Sequence, residues 1–388
     1  MKDKILNRLR NKRKQFKYIR ELDYFSKLSS VIDLEPIINN KLNNFKIITF
    51  VVPDMLPYSG GHTSILRLGT ELFYLGYEVN YITYREQSVE EMKKNALINL
   101  KSYKGEMYDK SYLNSIETDI VVATYWESVY YAKNMKGYKT YFIQDYEPYF
   151  YTFGEKFLLC KQTYDLGFHM ISLGKWNKEM IKNECNKQCD VIDFPYEKSE
   201  YTYHPRNYEE YKVKNKFKIA VYVKNEEKRA PFIIQIILEN VKKIFKEKGI
   251  TFEIFYFGED KEIKMNQGTN LGKLSKDDLL KLYRECDFGM VASLTNISLV
   301  PYEMIATGLP VIEFDCGTFN YFFEDECCIL TNFDYRCLSD KLNYYLENPK
   351  ELEKITQRAL KQIDNLSWKK SAKQFELAIK NKNYLEKL

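Results

Sequence analysis

Residues 295–311 read Thr295-Asn-Ile-Ser-Leu-Val-Pro-Tyr-Glu303-Met-Ile-Ala-Thr-Gly308-Leu-Pro310-Val311. A loop of small polar residues leads into a short helix, expected over Pro301–Thr307, that carries one carboxylate, Glu303. Gly308-Leu-Pro310 stops the helix and hands the chain to a strand expected over Leu309–Phe314. This handover is one period of a strand–helix alternation. Upstream, Phe217–Val223 reads as a strand, and Pro231–Lys248 as a helix with proline in its first turn. Thr251–Phe257 is a strand closed by Gly258, Ser275–Glu285 a helix capped by Ser275, and Asp287–Ala292 a strand. Helices fill the rest, the last of them from Trp368 to Leu388.

A similar series runs earlier in the chain. Lys46–Val52 is a buried strand, Pro53–Gly61 a loop, Thr63–Leu75 a helix stopped at Gly76, and Glu78–Tyr84 a strand. Further strands are expected at Asp119–Thr124, Lys139–Gln144, Phe168–Leu173 and Asp190–Phe194, with helical stretches at Val89–Lys101 and Glu127–Met135. Strands separated by helices need crossover connections, so the fold class is α/β with parallel sheets. Between the two series, Glu197–Lys216 is polar, rich in Tyr and Lys, and holds Pro205, which is the composition of a linker.

The 388 residues suggest two or three domains at roughly 150 residues each. With 45% apolar and 29% charged residues the chain can bury sizeable cores and stay soluble, which excludes wholesale disorder. No apolar run approaches the roughly 20 residues of a membrane span, and the N-terminus lacks the apolar region of a secretory signal. The 33 Tyr and 24 Phe run along the whole chain, as a compositional bias does. The net charge of +5 is concentrated: residues 1–30 sum to +7 and the remaining 358 to −2, so broad nucleic-acid binding is not expected. Residues 2–28 lack Gly and Pro and set Ile5, Leu9, Phe16, Ile19, Leu22 and Phe25 at near-helical spacing among the basic side chains. That is an amphipathic helix, interrupted on its apolar side near Lys12–Arg13. It suits an anionic membrane surface, a partner enzyme, or the body of the protein itself.

Cysteines 160, 185, 189, 286, 316, 327, 328 and 337 form no C-x-x-C pair, and His62, His169 and His204 stand at no zinc spacing. Buried thiols in a reducing cytoplasm are expected, with no structural zinc; the adjacent Cys327 and Cys328 are the pair placed for oxidation.

Three loops could carry chemistry. Ser59-Gly60-Gly61-His62-Thr63 follows the first strand, where two glycines let backbone N–H groups approach an anion at a helix N-terminus. Lys224-Asn-Glu-Glu-Lys228-Arg229-Ala-Pro231 follows the first strand of the second series, and its basic side chains suit a diphosphate. In the third, the 295–311 stretch, Glu303 near a helix N-terminus can accept from a ribose diol.

Together these motifs resemble the retaining glycosyltransferases of family 4, which have the two-domain GT-B fold. The likeness spans most of residues 46–365. It is nearest to the bacterial rhamnosyltransferases of that family, which carry a strand and loop similar to Tyr141–Tyr151. The resemblance implies two Rossmann-like domains facing across a cleft. Residues 1–44 would be the basic helical extension and 45–205 an acceptor domain. Residues 206–365 would be a nucleotide-sugar donor domain and 366–388 a helix returning to the N-terminal domain. It implies that Gly60 and Gly61 face the donor diphosphate and that Lys224 and Arg229 neutralise it. Glu303 matches the second Glu of the family's Glu-x7-Glu motif, which holds the ribose. Thr295, Ser298, Leu299 and Val300 would complete the donor side, and His62 would donate to the phosphate or the sugar. One departure is plain: the first Glu of that motif would fall at Thr295, which points to altered donor choice.

Asp145-Tyr146-Glu147 could hold a divalent metal on a diphosphate. However, the single-domain architecture that works in this way leaves the second strand–helix series unexplained, and no metal or cofactor is expected. Asp145, Tyr146, Glu147 and Tyr149 are then acceptor-binding residues at the cleft, or their aromatics pack the domain junction. The function implied is transfer of a sugar, rhamnose from dTDP-rhamnose, to a hydroxyl of a glycan or lipid-linked glycan with retention. The setting would be bacterial surface polysaccharide synthesis, in the cytoplasm and at the inner face of the cell membrane. Two alternatives share the architecture: a nucleotide-sugar epimerase, which would need no acceptor, and a non-catalytic glycan-assembly subunit, which the departure at Thr295 permits.

Overall fold

The computed structural model describes residues 2–39, 42, 44–324 and 326–381, with side chains from residue 10 onward. After helix α1 (Lys2–Ser29) comes the first α/β unit. It contains β1 (Ile47–Val52), α2 (Gly60–Tyr74), β2 (Glu78–Thr83), α3 (Val89–Asn99), β3 (Glu106–Tyr108), β4 (Ile120–Ala123), α4 (Trp126–Asn134), β5 (Tyr138–Ile143), α5 (Glu155–Gln162), β6 (His169–Leu173), α6 (Lys175–Cys185) and β7 (Asp190–Ile192). The second unit contains β8 (Lys216–Tyr222), α7 (Pro231–Glu247), β9 (Thr251–Phe257), β10 (Thr269–Asn270), α8 (Lys276–Glu285), β11 (Phe288–Met290), α9 (Leu299–Ala306), β12 (Val311–Phe314) and β13 (Ile329–Thr331). It is followed by α10 (Tyr335–Glu347), α11 (Pro349–Ile363) and α12 (Trp368–Lys380).

Both sheets are wholly parallel. Their orders are β3-β2-β1-β4-β5-β6-β7 and β10-β9-β8-β11-β12-β13. Helices cover both faces, so the central strands are buried on both sides: Ile48–Val52 of β1 are all buried, Thr49 included. Strand β1 pairs with both β2 and β4, and β8 with both β9 and β11. At these two strands the winding direction reverses. The connections leave on opposite faces and open a crevice at the strands' carboxyl ends. The loops 53–59 and 223–230 leave from those two points and lead into α2 and α7.

Several expectations need correction. Helix α2 starts at Gly60, not Thr63, so the two glycines form its first turn and are not part of the loop before it. Short edge strands β3 and β10 were not expected, and α9 starts at Leu299, ahead of Pro301. Residues 197–216 are no slack linker. Tyr201, Tyr208 and Tyr211 are buried. The Arg206 guanidinium donates to the carbonyls of Gly308 (2.8 Å), Tyr283 (2.6 Å) and Cys286. Arg67 of α2 pairs with Glu197 (3.3 Å) and Glu200. Burying the tyrosine rings outweighs the polar composition that suggested a free strand.

Helix α1 is continuous past Lys12–Arg13. Its last turns are fixed to the first unit: Leu28 is buried, Tyr24 donates to Glu127 (2.8 Å), and Lys156 donates to Glu21 (2.5 Å). From residue 10 to 20 every side chain is exposed. The side chains of Ile5 and Leu9 lie outside the described set. Helix α12 packs on α2 and β7, with Trp368, Ala372, Phe375 and Ile379 buried; residues 382–388 lie outside the described residues. No disulfide joins any two of the eight cysteines. No helix among the described residues is long and apolar enough to cross a membrane.

Candidate active site

A cleft of about 260 Å³ lies where the carboxyl ends of the two sheets face each other. The first unit contributes Ser59, Gly60, Gly61, Ser64, Thr124, Tyr125, Gln144, Asp145, Glu147, Phe150, Leu173 and Phe194. The second contributes Tyr222, Lys224, Glu226, Lys228, Arg229 and Asn296–Leu299.

Two helices begin at this cleft. On one side α2 opens with Gly60-Gly61, capped by Ser59, whose hydroxyl accepts from His62 N (3.4 Å). The preceding loop is braced from α3: Asn99 accepts from Ser59 N (3.0 Å), and Asn95 donates to Met55 O (2.8 Å). Neither glycine has a left-handed φ, and a Cβ at Gly60 would meet no atom within 4 Å. The backbone does not require glycine here. Its absent side chain leaves the helix N–H groups bare towards the cleft. On the other side α9 opens at Leu299, and its cap residue, Ser298, makes no capping bond. The Ser298 hydroxyl is buried without a hydrogen-bond partner, as is the side-chain amide oxygen of Asn296, Oδ1. Unsatisfied N–H groups at a helix start, with the positive end of the dipole, form a receptor for an anion.

The cations stand beside α9. Arg229 is buried, donates to Ala292 O (3.0 Å), and lies 6.0 Å from the Tyr222 ring centroid. Behind it Glu313 is fully buried and accepts from Ser293 N (3.0 Å) and Ser293 Oγ (2.6 Å); burial pushes its carboxyl up to about 7. Lys224 lines the cleft half-buried. Each mouth loop holds a non-glycine residue with left-handed backbone, Tyr58 (φ 53°) before the Ser59 cap and Ala230 (φ 46°) after Arg229. Such residues cost about 1 kcal/mol or more and persist where the surroundings over-determine them.

On the first-unit side, Glu147 follows β5 and its Oε2 accepts from Trp126 N, the first residue of α4, at 2.6 Å. Burial pushes this carboxyl up to about 8. It can therefore give or take a proton near neutral pH. Phe150 presents its ring to the same space.

Of the residues singled out from the sequence, the cleft gathers Gly60, Gly61, Lys224, Arg229, Ser298, Leu299, Asp145 and Glu147. Others lie elsewhere. His62 is sealed beneath the first turn of α2 against the Asp54 backbone, and burial pushes it down to about 4, so the ring is neutral and faces no ligand. Tyr146 is fully buried and stacked on Tyr164 at 5.7 Å, so it offers no face to a sugar. Tyr149 is exposed away from the cleft lining, and Val300 is half-buried behind it. Thr295 is buried and gives its hydroxyl to Asp145 (2.9 Å). Asp145 already accepts four hydrogen bonds and has no lone pair left for an acceptor hydroxyl. Glu303 sits on α9 beside the cleft, bonded by Tyr283 (3.4 Å) and Tyr201; burial pushes it up to about 7. Sequence reasoning named Lys228 among the basic side chains of its loop, and did not single out Asn296, Gln144, Tyr222, Ser64, Thr124 or Tyr125. The available signal was position: Thr124, Tyr125, Gln144 and Asn296 follow the carboxyl ends of β4, β5 and β11, Tyr222 ends β8, and Ser64 lies early in α2. Among the described residues no cluster of three or more His, Cys, Asp or Glu is arranged to hold a metal ion.

The family model for the WsaF C-terminal domain matches residues 217–342. The O-antigen biosynthesis protein RfbC of Myxococcus xanthus is 26% identical over 273 residues, which is 64% of this chain. The matched region is 20% of RfbC, so the chain spans about a fifth of that relative's length. Among solved structures, Anabaena HepE in complex with UDP and glucose superposes with a TM-score of 0.65 at 12% identity, covering 86% of this chain and 99% of HepE. S. aureus TarM, in a complex that includes UDP, gives 0.67 at 12% identity, covering 86% and 99%. WaaG, a glycosyltransferase involved in lipopolysaccharide biosynthesis, gives 0.60 at 13% identity, covering 86% and 100%. The fold is that of the GT-B glycosyltransferases.

Proposed function

We propose that this chain is a glycosyltransferase that moves a sugar from a nucleotide diphosphate to a hydroxyl of a growing surface glycan. The observation that carries the reading is the meeting of the α2 and α9 N-termini with Lys224 and Arg229 in one cleft. Transfer breaks the anomeric C–O bond, and its electron pair goes to the diphosphate. Fixed N–H groups and cations stabilise that developing charge without reorganising. The acceptor oxygen bonds to the anomeric carbon. With retention, it attacks on the leaving-group face and its proton passes to the departing phosphate oxygen. Glu303 binds the ribose once Tyr201 and Tyr283 yield to the diol. Glu147 and Phe150 form the acceptor side. The matches to the WsaF domain and to RfbC support a place in polysaccharide or O-antigen synthesis.

The donor proposed is dTDP-rhamnose, on the likeness around Tyr141–Tyr151. The acceptor is a lipid-linked glycan, reached at the inner face of the cell membrane. Exposed Phe16, Ile19 and Leu22 among the basic side chains of α1 suit an anionic lipid surface. Mass spectrometry across a panel of nucleotide sugars tests the function. Acceptor-dependent turnover of dTDP-rhamnose is expected, and acceptor-independent conversion would mean an epimerase. Turnover of UDP-glucose alone would overturn the donor, and no turnover of any donor would overturn the reaction. Liposome flotation should fall when residues 1–30 are deleted; unchanged binding would refute the membrane contact.

A further inference from the structure

Asp145 belongs to the first unit by sequence and is held mostly by the second. It lies just beyond β5, 7% exposed. Its Oδ2 accepts from Lys228 Nζ (3.1 Å) and Thr295 Oγ1 (2.9 Å). Its Oδ1 accepts from Asn296 N (3.2 Å) and from Tyr146 N (2.9 Å). Beside it the Asn296 amide donates to Gln144 O (2.6 Å) and Leu173 O (2.9 Å). Lys228 Nζ also stands 3.9 Å from the Phe150 ring centroid. The loop carrying Thr295 is itself fixed, since Thr318 donates to Ser293 O (2.7 Å from its N–H, 3.1 Å from its hydroxyl).

These contacts join the two units at the floor of the cleft, a few residues before α9 begins. A carboxylate has about four acceptor positions, and here four donors fill them, three supplied across the cleft. Separating the units would strip a buried charge of most of its partners, which is among the costlier losses a protein can suffer. We propose that Asp145 is a cross-cleft positioning residue: it locks the register that brings the α2 and α9 N-termini onto one diphosphate, and Thr295 is the hydroxyl donor that the lock requires. The inference rests on reading the cleft as a donor site. It also gives a physical reason for Thr295. A carboxylate there would face Asp145 at hydrogen-bonding distance, and two acids so close cannot both stay ionised.

The test compares Thr295→Glu, Asp145→Asn and the double variant in the full chain. The readouts are small-angle X-ray scattering, calorimetry with UDP and with dTDP, and transfer kinetics with whichever donor turns over. Thr295→Glu should enlarge the radius of gyration and weaken nucleotide binding about tenfold or more. In the double variant the amide introduced at position 145 can donate to the new carboxylate, so compactness and at least fivefold of the lost affinity should return. Asp145→Asn alone should lower kcat about tenfold and leave the acceptor KM unchanged, since Asp145 does not touch acceptor. A Thr295→Glu variant as compact as the parent, with equal nucleotide affinity, would overturn the lock. So would a double variant no better than Thr295→Glu, or an Asp145→Asn effect confined to acceptor KM. If the parent binds neither UDP nor dTDP, the donor-site reading fails, and scattering still decides whether residues 145 and 295 hold the units together.

Discussion

The two helices that open onto the cleft begin in opposite ways. The cap of α2 is already in use: Ser59 accepts from His62 N, its own N–H is held by Asn99, and a neutral His62 fills the space beneath. The cap of α9 is not in use. The Ser298 hydroxyl is buried without a partner, and Arg229 and Lys224 line the same cleft. One terminus spends its polar groups on the fold and offers bare backbone. The other withholds them, and an anion is the ligand that such a set fits. Stability should therefore reside in the α2 cap, and affinity in the α9 cap and its cations.

The largest effect should come from the cation. Arg229→Ala should lower transfer roughly 10³-fold, and Glu303→Ala comparably, while circular dichroism shows the fold retained. Near-normal activity in both would move the donor site off α9. Next comes the crossed pair of serines. Ser298→Ala should weaken nucleoside diphosphate binding roughly threefold to tenfold and leave Tm unchanged, since no internal bond is lost. Ser59→Ala should cost about 1 kcal/mol of stability with binding within about twofold. Reversed results in calorimetry and thermal melts would undo the contrast.

A pH series sharpens it further. Burial pushes His62 down to about 4, and this group acts with the opposite sign below its ordinary value, but three carboxyls outweigh it. The Glu303, Glu313 and Glu147 carboxyls are raised by burial, to about 7, about 7 and about 8. Between the ordinary carboxylate range and those values the folded chain holds more protons than the unfolded one, so stability should fall as pH rises from about 5 to about 8. Glu303→Gln should flatten the decline up to about pH 7 and Glu147→Gln should flatten it up to about pH 8, each by a few degrees of Tm. A slope unchanged in both would place the titrating groups elsewhere. The smallest effect is expected at Gly60→Ala. The new methyl meets open space and a helical φ, so stability should rise by a few tenths of a kcal/mol. Transfer should fall severalfold as the methyl shields the N–H groups; undiminished transfer would mean that α2 is only a wall.

What could be read in advance follows from range. Strands β1 and β8 and the loops after them lie in contiguous stretches, where apolar runs and turn residues carry the signal. Strands β3 and β10, three and two residues long, carry too few side chains to show a period. The start of α2 was misplaced because glycine reads as a breaker. In a first turn, however, its N–H has no intrahelical partner to lose. The grip on Asp145 joins residues up to 151 positions apart, and no local pattern encodes it. For the same reason the tyrosines of 197–216 read as linker although they are buried.

Helix α12 has a consequence for the order of folding. It buries Phe375 edge-on to Phe142 of β5, at 6.3 Å, and its Glu376 and Gln374 hold Tyr77 and Asp193 of the first unit. During synthesis the first sheet leaves the ribosome long before this helix exists. One apolar flank must wait uncovered while the whole second unit is made, a period in which it can bind chaperones or aggregate. Maturation of the first unit therefore depends on completion of the second, and the two should melt as one cooperative body.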